Sequence, residues 1–266
     1  MSRLRDLGRS SVGKKAISAA SGLVLLGFVL AHMVANLQIF AGAGRIDAYA
    51  RGLRAAPVLL WSVRVVLAAA LGVHVVVALQ LAARRRAARG SRLARPALSL
   101  ALSRGREREP DRIRSPLPRS AAGEGEGGGK PCEGFRPRRT SRRRERGSDL
   151  LGARAMLATG LVLAVFVLLH LANLTWGIWH PGFVPLAVHH NVVALFRVRA
   201  WSAFYLLALI ALAIHVAHGA WSAPQSLGLL PERGAPGLRR WARGAAIAVA
   251  TGLFAVVVAV LVGGVR

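Results

Sequence analysis

The sequence predicts an all-α membrane protein of five transmembrane helices, and three observations carry that prediction. Of the 266 residues, 54% are hydrophobic, and the mean hydropathy is +0.44. The apolar residues gather in blocks at roughly 17–40, 58–83, 153–175, 201–222 and 244–263. Each block is near the ~20 residues that a helix needs to cross ~30 Å of hydrocarbon. The eleven acidic residues all lie outside these blocks: Asp6, Asp47, Asp149, Glu232 and seven more between the second and third.

The first block begins after Arg3, Arg5, Arg9, Lys14 and Lys15. It is long, lacks a convincing cleavage site and is followed by further spans, so it reads as a retained helix and not as a secretory signal. The second ends at the arginine-rich stretch from Arg84 to Arg146, which holds about half of the formal net charge of +26. Arg233, Arg239, Arg240 and Arg243 precede the fifth. By the positive-inside rule these three segments are cytoplasmic, which puts the N-terminus inside and the C-terminus outside. The outer connectors, 41–57 and 176–200, are poorer in basic residues, and Trp61, Trp176, Trp179 and Trp201 fall where an outer aromatic belt belongs. Because the charge sits in connectors, it argues for a membrane protein and against nucleic acid as a partner.

The chain so divides into residues 1–90, with the first two spans; 91–148, a basic connector; and 149–266, with the last three. The connector, through LSRGREREPDRIRSPLPRSAAGEGEGGGKPCEGFRPRRTSRRRERG, has no periodic apolar pattern and a composition that cannot bury a core, so disorder is expected. It reads as an insertion, as a local frame error in the deduced sequence, or as a basic tail for anionic membrane lipid.

Several chemistries drop out at this level. One cysteine, Cys132, allows neither an internal disulfide nor an iron–sulfur site built by this chain alone. Spans without carboxylates argue against a proton relay or an ion-coordinating transporter core. Redox metal, if bound, needs histidine.

Each of the first four spans holds an internal histidine, namely His32, His74, His170 and His215, and the fifth holds none. Counting ~1.5 Å per residue puts His32 ~25 Å beyond Lys15 and His170 ~24 Å beyond Arg154, near the outer side, and His74 ~15 Å from Arg84 and His215 about as far from Gln225, nearer the cytoplasm. Two imidazoles at one depth on different helices are what a six-coordinate b-type haem requires, one nitrogen on each face of the iron. Two such pairs imply two haems. Gly22, Gly27, Gly72 and Gly160 would let a flat macrocycle approach the backbones, or would serve helix packing alone. His218, one turn after His215, is a competing ligand that spacing does not separate from it. His180, His189 and His190 lie in the outer connector and read as loop residues.

SSVGKK before the first span, FVLAHMVANLQIF within it, LLWSVRVVLAAALGVHVVVALQL in the second, LLHLANLTWG in the third and HVAHGAWSAPQSLGL at the end of the fourth make the chain resemble a known family. It is similar to the cytochrome b558 type membrane-anchor subunits of succinate dehydrogenases and fumarate reductases, of the five-helix, di-haem class. The resemblance covers most of residues 10–90 and 150–260. It implies two haem b groups, one between His74 and His215 and one between His32 and His170, with the first histidine of HVAHGAWS as the ligand. It also implies a flavoprotein subunit and an iron–sulfur subunit docked on the cytoplasmic face, electron transfer to or from membrane quinone, and a multi-pass location in the inner (cytoplasmic) membrane. The connector between the second and third spans is usually short in that family, and here it is not.

Haem propionates need basic partners near the membrane surfaces. Arg64 is a candidate for the outer haem, and Lys14, Lys15 and Arg154 for the inner one; each also suits a snorkelling role. Tyr49, Asp47 and Trp61 are candidates for a quinone pocket, or simply for loop packing. Two other readings stay open: a quinol-oxidising di-haem cytochrome b of another membrane dehydrogenase, and a haem-free membrane transporter or scaffold.

Overall fold

The structure is a computed structural model that describes residues 10–106, 139–229 and 236–265, with side chains over 10–88, 154–229 and 236–265. The described residues are helical and contain no strand. Five helices are long and apolar enough to cross a membrane: Ser11–Ala41, Pro57–Ala88, Arg154–Leu174, Arg199–Ser226 and Pro236–Leu261. All five expected spans are therefore present. The fifth starts earlier than its apolar block, because Arg239, Arg240 and Arg243 are good helix formers and extend it into the polar side.

The chain separates into two compact units, Met1–Ala82 with Leu150–Arg266, and Ala83–Asp149. In the first unit α1 (Ser11–Leu37) opens on Ser10, whose hydroxyl accepts the Gly13 N–H at 2.9 Å and so satisfies one of the free donors of the first turn. A 3₁₀ turn, Gln38–Ala41, follows. It stops at Gly42, whose φ of 95° lies in the left-handed region that favours glycine. Then come α2 (Ala43–Arg54) and α3 (Pro57–Arg106), the latter beginning on a proline that has no N–H to leave unsatisfied. The second half comprises α4 (Arg139–Leu174), α5 (Val188–Arg197), α6 (Arg199–Ser226) and α7 (Pro236–Leu261). The connector expected over 91–148 is entered by α3 as far as Arg106, through a stretch rich in the strong helix formers Arg, Ala and Leu, and by α4 from Arg139, through an arginine-rich one. Residues 107–138 of it lie outside the described residues.

Two helices were not foreseen. α2 and α5 occupy the segments that the hydropathy pattern leaves as connectors. They pack on each other and close one end of the bundle, where Ile39, Ile46, Leu195, Phe196, Tyr205 and Val257 form the tightest part of the core. Asp47 on α2 accepts the backbone N–H of His189 at 2.9 Å, so a carboxylate meets the positive end of α5. The side-chain amide of Asn191 completes the cap by bonding both to the carbonyl and from the N–H of Val184, at 2.8 and 2.9 Å.

α6 and α7 lie along each other, and α1 packs against both. Their approach rests on Gly252: a Cβ there would stand 2.8 Å from Met33 Sδ. In lipid, where apolar side chains gain nothing by leaving the solvent, such close packing is what holds helices together. Gly252→Leu is therefore expected to cost roughly 1–3 kcal/mol through overpacking and to lower the melting temperature in detergent. A Cβ at Gly244, on the same helix, would meet nothing within 4 Å, so Gly244→Ala should melt no lower than the parent. Equal melting of all three chains would show that the Gly252 contact is not limiting.

Candidate functional site

The four span histidines meet two by two. The rings of His32 on α1 and His170 on α4 have centroids 5.7 Å apart and planes at 83°. Those of His74 on α3 and His215 on α6 are 6.2 Å apart, at 69°. An ion held at ~2 Å by one nitrogen of each of two opposed imidazoles sets ring centres roughly 6 Å apart. Both pairs have that separation. Among the described residues no three or more His, Cys, Asp or Glu side chains come together as metal ligands. Each pair therefore supplies two donors, which suits a metal whose other ligands arrive with a planar macrocycle.

The helix period explains how one helix serves two levels. Eleven residues make about three turns, so Ser21 and His32 on α1 share a face, as do Thr159 and His170 on α4. Ser21 Oγ lies 3.3 Å from His74 Nδ1, and Thr159 Oγ1 lies 3.2 Å from His215 Nδ1. His74 Nδ1 also donates to the Ser18 carbonyl at 3.0 Å. The two histidine levels are thus separated by the rise of eleven residues, ~16 Å. Phe28 stacks one turn below His32, with centroids 5.3 Å apart, and Phe166 takes the corresponding place below His170, at 5.5 Å.

The glycines divide. A Cβ at Gly22 would stand 3.1 Å from His74 Cε1, and one at Gly160 would stand 3.3 Å from His215 Cε1, so the inner pair of rings lies against helix backbone. A Cβ at Gly27 or Gly72 would meet nothing within 4 Å. The outer pair lacks comparable support on one side: His170 Nδ1 is buried and has no hydrogen-bond partner, and the Tyr205 hydroxyl, whose ring lies 5.9 Å from that of His170, is in the same condition. Buried polar atoms of this kind are uncommon and cluster where a ligand or water belongs.

His218 turns elsewhere. Its ring meets Trp221 edge-on at 5.5 Å, and the guanidinium of Arg239 covers the Trp221 ring at 4.1 Å. Arg64 is exposed, with its guanidinium 5.0 Å from the centre of the Trp61 ring, the disposition of an interface residue. Lys14 hydrogen-bonds the side chain of Gln80, tying the start of α1 to α3. Lys15 and Arg154 are exposed. Of the quinone-pocket candidates, Tyr49 shares a shallow apolar groove with Leu30, Val34 and Gln38. Asp47 is engaged by α5, and Trp61 is exposed. His180 and His190 bond the carbonyls of Asn191 and Gly182, at 2.8 and 3.0 Å, and so fasten the loop between α4 and α5.

Fold and site together define an all-helical, multi-span membrane protein with two facing histidine pairs inside its bundle. No protein-family model, curated protein or solved structure matches the chain.

Proposed function

We propose that the chain is the di-haem cytochrome b membrane anchor of a succinate:quinone oxidoreductase, set in the inner membrane with its N-terminus in the cytoplasm. One observation carries the reading: His32 with His170, and His74 with His215, face each other across different helices at the separation of a bis-imidazole metal site. The buried, unpartnered His170 Nδ1 and the backbone-flush rings at Gly22 and Gly160 fit a flat group seated there. Haem supplies one-electron transfer when bound. The chain's own residues bind and orient it: four imidazoles hold two levels ~16 Å apart along the bundle, and the apolar spans exclude water. The basic residues of the cytoplasmic ends give a flavoprotein and an iron–sulfur subunit a docking face near the inner pair, and quinone reaches the spans from the lipid.

The test is purification from native membranes without dissociating the partners. The expected result is two haem b per chain, co-elution of a flavin-containing and an iron–sulfur subunit, and succinate-dependent quinone reduction. Two haems with a different dehydrogenase head would move the chain to another quinol-linked complex. A haem-free chain would overturn the proposal.

A further inference from the structure

We infer that Ser21 with Gly22, and Thr159 with Gly160, form a duplicated clamp that holds His74 and His215 as Nδ1–H tautomers and so leaves each Nε2 as the metal-binding nitrogen. The inference deepens the proposed function and rests on it for the identity of the metal group. It begins with the single proton of a hydroxyl. Thr159 Oγ1 donates that proton to the Ala155 carbonyl at 2.7 Å, and Ser21 Oγ donates its own to the Ile17 carbonyl at 2.9 Å. Toward an imidazole each oxygen then has only lone pairs to offer, so it can accept and not donate.

The consequence for the rings follows. His215 Nδ1, 3.2 Å from Thr159 Oγ1, must carry hydrogen to bond there. His74 Nδ1, which also faces the Ser18 carbonyl, must do the same. In a neutral imidazole the other nitrogen is then the unprotonated one, and a metal-bound histidine is commonly fixed in this way through its far nitrogen. The glycines complete the clamp. With ring edges 3.1 and 3.3 Å from where a Cβ would be, each imidazole is caught between a hydroxyl and a bare stretch of backbone.

A second observation is independent of these distances. SGLVLLGFVLAH, residues 21–32, and TGLVLAVFVLLH, residues 159–170, are identical at eight of twelve positions. Hydroxyl, glycine and outer histidine are each 138 residues from their counterparts. The same local device therefore occurs once in each half of the chain, each time holding the inner histidine of its own half. It is confined to the inner pair, since His170 Nδ1 has no partner.

The test uses the intact complex, with EPR spectra of the ferric low-spin haems and redox titration of each centre, on Thr159→Val, Thr159→Ser and Ser21→Ala. The expected result for Thr159→Val is two haems per chain, with the g values and midpoint potential of one centre shifted. That centre should be the one that His215→Ala removes. Thr159→Ser should restore both values, and Ser21→Ala should shift the same centre less, because the Ser18 carbonyl remains. Unchanged centres in Thr159→Val, or a shift confined to the other centre, would overturn the clamp. If Thr159→Val does not accumulate, ¹⁵N-histidine NMR of the haem-free parent chain decides: Nδ1–H signals for His74 and His215 support the clamp, and Nε2–H signals overturn it. Because that measurement needs no haem, failure of the clamp is distinguishable from failure of the proposed function.

Discussion

With the proposed pair of haems, a His215→Ala chain is expected to fall from two to one and to lose one low-spin EPR signal, while His218→Ala keeps both. The two histidines are one turn apart on α6, and both have been candidates for iron on spacing alone. Their surroundings separate them: His215 faces His74 across 6.2 Å, whereas His218 meets edge-on the Trp221 ring that the Arg239 guanidinium covers. Removing an axial ligand leaves a macrocycle held from one side in an apolar bundle, which is expected to lose it or convert it to high spin. The remaining low-spin signal should belong to His32 and His170, and a His170→Ala chain should show the complementary loss. Loss of a haem in His218→Ala with retention of both in His215→Ala would reverse the assignment within α6.

Labelling of the chain's single cysteine is expected to be all or none. Cys132 lies in the arginine-rich segment between the second and third spans, which the positive-inside rule puts in the cytoplasm. A membrane-impermeant maleimide should leave it untouched in right-side-out vesicles and label it in inverted ones. In a Cys132→Ser background, Ile178→Cys, in the exposed loop after α4, should show the opposite pattern. If both cysteines react in the reversed sense, all five spans are inverted, and the soluble partners would have to dock beside α2 and α5 instead.

The spans were legible because lipid imposes a crude requirement, some twenty apolar residues without charge, that a window of sequence meets or does not. The grouping of the histidines was legible for a related reason. Helical rise is constant, so His32 and His170 count out to one depth and His74 and His215 to another, and the structure brings together those same rings. Side-chain direction was not legible. Depth puts Arg64 toward the outer pair but says nothing about which face of α3 it occupies, and its guanidinium lies 5.0 Å from the centre of the Trp61 ring. α2 and α5 escaped notice since they are short and mixed in polarity, and their stability comes from one another and from the bundle end. Ser21 and Thr159 escaped because their partners are 53 and 56 residues away. The repeat that contains them was the available signal: a hydroxyl–glycine pair eleven residues before a histidine, found twice.

Both histidine pairs join the first two spans to the third and fourth: α1 to α4, and α3 to α6. Neither half of the chain can complete either site. In the proposed function this imposes an order on biogenesis, in which the outer site waits for the third span and the inner site for the fourth. Each haem then rivets the halves together, whatever the length of the segment between them. A chain truncated before α6 would still offer one outer pair and a single stranded His74, so its cofactor content would report how far insertion had gone. The bound groups would serve the cell as an assembly checkpoint before they ever carried an electron.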